Sequence, residues 1–370
     1  MDNKQQTLAE LGQKSGTIAA KNVLVGLDGF IDKIVHPVDE RFGAGDHFKP
    51  IDTISAFGER ISAAAGNSTN IELHTVMEKI GGNGPIMANA LLSTGSKVRY
   101  IGSLGKPTIA PVFTTFATQT DAVSVCAPGM TTAAEFKDGK ILFGDMVSFD
   151  AITYDAILQT MGEGKFFDCV SCADAIALVN WTMLPHMTDI LNALVERVLP
   201  TLGPRENRAF LFDLADPAKR ADADIQGVLH TIKRFQAYGY VTLGLNFSES
   251  QQVARILGCE SLTSSEADLK KTAGKLRQAL EISCVAIHPT ESAACATKDG
   301  TFWVKGPWCE RPKITTGAGD HFNAGLMTGR LLGLSPIACL TLAVSFSGYY
   351  VRTAQSPTLS DIATFIRNWQ

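Results

Sequence analysis

Residues 313–335, KITTGAGDHFNAGLMTGRLLGLS, run a Thr/Gly/Ala loop straight into a helical pattern with Phe322, Leu326 and Leu332 on related faces. Gly317, Ala318 and Gly319 would present backbone N–H groups at the positive end of that helix, a place that attracts transferred phosphate. Asp320 stands at the same helix start. A carboxylate there can take the proton from a hydroxyl that attacks a phosphate held by those amides. It can equally do no more than cap the helix. The hexapeptide GAGDHF also occurs at 43–48, but KPIDTIS follows it and Pro50 interrupts any helix, so Asp46 reads as a loop residue.

Outward from this loop the chain reads as α/β. KNVLVGLDGFIDKIV (21–35) is a β-branched run leading into Gly and Asp, which predicts a strand that ends in a functional loop. GGNGPIMANALLSTGSKVRYIGSLG (81–105) reads loop, helix, turn and strand, with Ile86, Met87, Ala90 and Leu91 at helical spacing before Val98–Ile101. Between Asp121 and Asp145 the pattern shifts to short alternating strands, with a hairpin expected to turn at Asp138-Gly139. Further strands at AIALVNW, AFLFDLA, YVTLGLN and CVAIHP are separated by crossover-length segments, which predicts a central, largely parallel sheet. AACATKDGTFWVKG reads as another hairpin, and Ser335-Pro336 as the N-cap and first residue of a later helix.

Composition narrows the class of partner. The 370 residues are 45% hydrophobic and 19% charged, too apolar for a disordered chain and too interrupted for a membrane span. Thirty-three Lys and Arg against 37 Asp and Glu leave a formal charge of −4, which offers nothing to nucleic acid or an anionic bilayer. A small-molecule partner is expected. The N-terminal MDNKQQTLAELGQKSG carries no apolar leader pattern, so the cytoplasm is the expected compartment. The eight cysteines sit mostly in apolar segments and read as reduced, with Cys169 and Cys172 a lone pair lacking further zinc ligands.

Neither a Walker A loop nor a dinucleotide-binding glycine fingerprint can be completed. TTGAGDHFNAG (315–325) instead resembles the C-terminal signature of the ribokinase-like, or PfkB-type, carbohydrate kinases. Asp32, the GGN at 81–83 and the N-x-x-E at Asn246–Glu249 fall in that family's order, and the resemblance spans about residues 23–366. It implies a three-layer α/β sandwich of ribokinase-like topology with a small β lid, over one kinase domain, lid elements falling within 33–80 and 105–150. It further implies ATP-dependent phosphorylation of a sugar hydroxyl, with Asp320 as catalytic base and Gly317, Ala318 and Gly319 forming the anion hole. Asp32, Gly82 and Asn83 would bind the acceptor, with Asp28 competing for that role or serving as a turn residue. Asn246, Gly319 and Ser345 would meet the nucleotide. Glu249 and Asn246 would serve Mg²⁺ through its water shell. Without the resemblance, Asn246–Glu249 reads as a capping box.

Four features depart from the family pattern. Ile314 stands where relatives that bind K⁺ carry Asp, which argues against K⁺ activation. HPTESA (288–293) replaces a Thr-x-Gly-x-x-Gly phosphate loop and lacks both glycines, so ATP binding there should be altered. Ser345 falls where Asn is expected beside the nucleotide. The stretch from Asp32 to Gly81 is long, which places an insertion at about 38–75. His288 and His321 read as surface or satisfied core residues, Asp216–Arg220 as a solvated loop, and Trp181, Trp303, Trp308 and Trp369 as packing residues. Two rival functions stand beside the sugar kinase: a nucleoside kinase of the same fold, and a catalytically impaired sugar-binding protein. A homodimer through the lid is a further expectation.

Overall fold

The computed structural model describes residues 2–260 and 263–369. Among these residues fourteen strands fall into two sheets. They are β1 (Asn22–Leu27), β2 (Phe30–Arg41), β3 (Phe48–Pro50), β4 (Leu73–Gly81), β5 (Lys97–Gly102), β6 (Val123–Ser124) and β7 (Gly129–Phe136). There follow β8 (Gly139–Asp145), β9 (Ala175–Leu178), β10 (Ala209–Asp213), β11 (Tyr240–Asn246), β12 (Cys284–His288), β13 (Ser292–Thr297) and β14 (Gly300–Lys305).

The larger sheet has nine strands in the order β14-β13-β12-β11-β10-β9-β1-β5-β6. It is parallel from β12 to β6, and the β13–β14 hairpin adds an antiparallel edge. Alternate residues feed two separate cores, the mark of a sheet covered by helices on both faces. One face carries Leu24, Ile176, Leu178, Phe210, Phe212, Val285 and Ile287. The other carries the smaller Ala175, Ala177, Ala209, Cys284 and Ala286, and over it lie the Ala318–Leu331 and Pro336–Thr353 helices. Small side chains let those helices sit low against the sheet. Each large side chain fully buried on the first face contributes about 1.5–3 kcal/mol.

The smaller sheet combines β2, β3, β4, β7 and β8. β2 is central, antiparallel to β4 and parallel to β7. Here the structure corrects the expectation for residues 21–35. After Leu27 the chain does not end in a loop: only Asp28 and Gly29 intervene before β2, and Asp32 lies on a strand. The alternation that continues through FIDKIVHPV is the reason, since it suits a second strand as well as the first. The stretch 38–75 holds the end of β2, β3, the Ile54–Ala63 helix and the start of β4. The β7–β8 hairpin turns at Lys137-Asp138, one residue earlier than expected, because Phe136 pairs with Gly139. Ser335 precedes the Pro336–Thr353 helix as expected, but its hydroxyl donates to Glu10 at 2.6 Å and does not cap.

Candidate active site

The chemistry collects at the carboxyl ends of adjacent parallel strands, where α/β sheets present their ligands. Asp28 follows β1, Asn180 follows β9, and Asp213, Asn246 and His288 end β10, β11 and β12. Over these ends stands the start of the Ala318–Leu331 helix. Gly317 precedes it at φ +93°, a left-handed conformation that glycine adopts without strain. The amides are not equivalent. Ala318 N–H donates to Thr315 O at 3.2 Å, whereas those of Gly317, Gly319 and Asp320 have no acceptor among the described residues. The amides left without a partner at this helix start are therefore those of Gly317, Gly319 and Asp320, and not that of Ala318.

Asp320 is buried, and its Oδ1 accepts from Asn83 Nδ2 at 2.9 Å. Burial holds its carboxyl well above the ordinary carboxylate range, with Asp213, Asp28 and Glu249 adding repulsion and Asn83 opposing it. Asn83 begins the Asn83–Ser93 helix directly after Gly82, whose φ of +96° turns the chain from β4 into that helix. The helix start is seated on Asp28. Asp28 Oδ1 accepts from Gly84 N at 2.8 Å, and Oδ2 accepts from Asn83 N at 3.0 Å and from Asn180 Nδ2 at 2.6 Å. Asp28 is fully buried, its pKa pushed up to about 6 by burial against those bonds. This corrects both readings of Asp28: it is no exposed turn residue, and its carboxylate is consumed inside the protein and does not face an acceptor.

Asp32 comes to the same place from the smaller sheet, level with Lys79 on β4 and Thr131 on β7. Its carboxylate lies so close over Gly81 that a Cβ there would stand 2.3 Å from Oδ1. Burial raises its pKa, while Lys79, the Thr131 hydroxyl and Lys140 oppose the rise. The Tyr350 phenol reports both acids, pushed up to about 12 by burial and by the charges of Asp320 and Asp32. The structure thus gathers Asp32, Gly82, Asn83 and Asp320.

Asn246 and Glu249 form the capping box of the Phe247–Ile256 helix, a contribution of about 0.5–2 kcal/mol. Asn246 Oδ1 accepts from Glu249 N at 3.0 Å, and Glu249 Oε2 accepts from Asn246 N at 2.8 Å. Glu249 Oε1 accepts from Asp216 N at 2.9 Å. Each of these oxygens keeps a further lone pair, so the pair fits a Mg²⁺ ion held through its water shell. Among the described residues no cluster of three His, Cys, Asp or Glu side chains is set to hold a metal.

Asp213 belongs to this group, although from sequence it reads only as the end of the strand AFLFDLA. It accepts from Asn323 Nδ2 at 2.7 Å, and its pKa is pushed up to about 8 by burial and then by Glu249. The available signal was its place at a strand's carboxyl end, with Asn323 one helical turn after Asp320.

Ser345 is a correction. It is fully buried in the Pro336–Thr353 helix and donates to Thr341 O at 2.6 Å. The residues of that helix that line the neighbouring cavity are Val344, Ser347, Gly348 and Val351, spaced as one helical face that leaves Ser345 on another. This cavity measures about 480 Å³ and is also lined by Asn246, His288, Thr290, Thr315, Ala318 and Gly319. His321 is a satisfied core residue, bonded to Gly317 O and Ser356 Oγ and stacked on Tyr350 at 3.6 Å. His288 is packed on Phe322 at 4.3 Å with its Nε2 buried and unpartnered. All eight cysteines are free, and no helix among the described residues is long and apolar enough to cross a membrane.

The model of the prokaryotic ketohexokinase family matches residues 5–369. The chain belongs to the prokaryotic ketohexokinase family. Membership makes it a carbohydrate kinase. A ketohexokinase from Haloferax volcanii is 28% identical over 346 residues, covering 93% of this chain and 90% of that protein. Among solved structures, a carbohydrate kinase from Agrobacterium tumefaciens superposes with a TM-score of 0.64 at 17% identity, covering 94% of this chain and 97% of that one. Arabidopsis thaliana ribokinase, complexed with ribose and ATP, gives 0.62 at 14% identity and covers 94% and 98%. These likenesses establish the ribokinase fold beneath the ketohexokinase family.

Proposed function

We propose that this member of the prokaryotic ketohexokinase family transfers the γ-phosphoryl group of ATP to a hydroxyl of a ketohexose. The observation that carries the reading is the Asn83–Asp320 hydrogen bond, which sets a buried carboxylate beside an acceptor-binding amide and at the unpaired amides of a helix start. The acceptor lies against Asp32, Gly82 and Asn83, and Asp320 takes the hydroxyl proton as that oxygen bonds to the γ-phosphorus. The bond to the β–γ bridging oxygen breaks, and ADP leaves. Amides of Gly317, Gly319 and Asp320 stabilise charge on the transferred group. Asn246 and Glu249 would hold Mg²⁺ through water, and the ion would neutralise phosphate charge. The Ile314 side chain supplies no oxygen for K⁺, so activity without K⁺ belongs to this reading.

The test is ADP release with Mg-ATP over ketohexoses, aldoses and nucleosides, with Asp320→Asn alongside. Turnover on a ketohexose that falls about 10²–10⁴-fold in the variant is expected. Turnover untouched by the variant would overturn Asp320 as base. Sugar binding without turnover would favour a binding protein.

A homodimer through the smaller sheet is part of the same proposal. Among the described residues, the large apolar side chains that stand exposed, Trp308 apart, lie between Phe42 and Val147, including Val76 and Met77 on β4 and Phe143 on β8. Apolar side chains left exposed on β4, β8 and the segments between are the observation behind the proposed partner surface. Met77→Asp with Phe143→Asp should convert a dimer to a monomer in light scattering; a monomeric parent would end the idea.

A further inference from the structure

The four tryptophans have different surroundings. Trp181 is buried and donates its Nε1–H to Thr188 at 2.8 Å. Trp303 packs against the core, and Trp369 stacks on Phe365 beneath Lys4. Trp308 is the exception to the packing expectation. It is 53% exposed and lines the 480 Å³ cavity that also holds Ala318 and Gly319 of the anion-attracting loop. That volume lies in the range of small-molecule sites.

The backbone that carries Trp308 is held while its side chain stays about half exposed. Arg352 donates to Trp308 O, Trp308 N donates to Gly306 O at 3.0 Å, and Lys313 N donates to Val351 O at 2.8 Å. Gly306 N in turn donates to Glu291 O at 2.7 Å, which ties the loop to the segment before β13. Other apolar walls come from Pro307, Pro312, Val344 and Val351. No Lys or Arg lines this cavity, so a phosphate entering it finds helix-start amides and no ion pair. HPTESA adds no glycine to bring further amides close. With no Lys or Arg in this lining, contacts to the base gain weight beside the helix-start amides and the proposed Mg²⁺.

Resting on the kinase reading above, we propose that Trp308 is the stacking face for the purine base of the phosphoryl donor. Stacking does not read the base edge, because every base presents a π face. The donor site therefore tolerates more than one purine.

The experiment titrates the full chain with ADP, following tryptophan fluorescence and calorimetric affinity. In the parent, ADP quenches emission, and GDP binds within about tenfold of ADP. Trp308→Ala weakens ADP binding by roughly tenfold or more, and Trp308→Phe, which keeps a ring, recovers most of the affinity while losing the quench. Because the side chain is largely exposed, thermal unfolding of both variants checks that folding is intact. Unchanged ADP affinity in Trp308→Ala, or equal loss in the Phe and Ala variants, overturns the proposal. Intact Trp308-dependent ADP binding without sugar turnover overturns the kinase reading alone. Absence of ADP binding in the parent overturns both.

Discussion

Asn83 Nδ2 donates to Asp320 Oδ1 across 2.9 Å, joining residues 237 positions apart in the chain. The bond ties the start of one helix to the start of another, and it favours the ionised form of a carboxyl whose pKa burial raises. On the proposed mechanism, Asn83 thereby tunes how much of Asp320 is available as a base at a given pH.

Removing this donor should move the acid limb of the pH profile. With Asn83→Leu the Asp320 carboxyl rises further, so kcat falls away at a higher pH than in the parent. The check is kcat for the ketohexose against pH at saturating sugar, which separates this effect from weakened acceptor binding. An acid limb that stays in place would show that Asn83 does not tune Asp320.

Asp213 makes stability depend on pH in the direction opposite to a salt-bridged acid. Its pKa is pushed from 3.8 up to about 8, so between those values the folded chain binds a proton that the unfolded chain has lost. Its contribution is fully present below the unfolded value and is lost as pH rises through the folded one. Asp213→Asn keeps an oxygen for the Asn323 amide and never ionises. Its Tm should therefore fall less than that of the parent between pH 5 and 8, measured by calorimetry at constant ionic strength. Parallel curves would contradict the assignment.

Ser345 and Ser347 should separate cleanly. Ser345→Ala removes a buried hydroxyl that bonds only within its own helix, and KM for ATP should stay within about twofold. Ser347→Phe places a ring into the cavity and should raise KM for ATP while leaving the acceptor KM near the parent value. The reverse pattern would restore Ser345 to the nucleotide site.

Much of this was readable from local sequence. The helix opened by TTGAGD, the Asn83–Ser93 helix and the parallel strands all announce themselves by periodicity and by glycine, because helix and strand patterns depend on near neighbours. The same holds for the Asn246–Glu249 capping box, which needs only four consecutive residues. Which side chains share a site is different in kind. Asp28 reads as an acceptor ligand or a turn residue until burial beneath Asn83, Gly84 and Asn180 gives it a structural task.

Asp213 escapes notice for a related reason: an Asp ending a hydrophobic strand carries no motif, and only the sheet order brings it beside Glu249 and Asn323. Ser345 shows the limit of position along a helix, since one residue of offset rotates a side chain by about 100° and carries it off the cavity face. Sequence alone determined most elements and the glycine loop proposed to hold a phosphate, because those rest on backbone preferences a few residues long. Tertiary structure alone decided which acids are buried together, how far their protons are held, and that Trp308 stays about half exposed, because desolvation and contact are properties of neighbours distant in the chain.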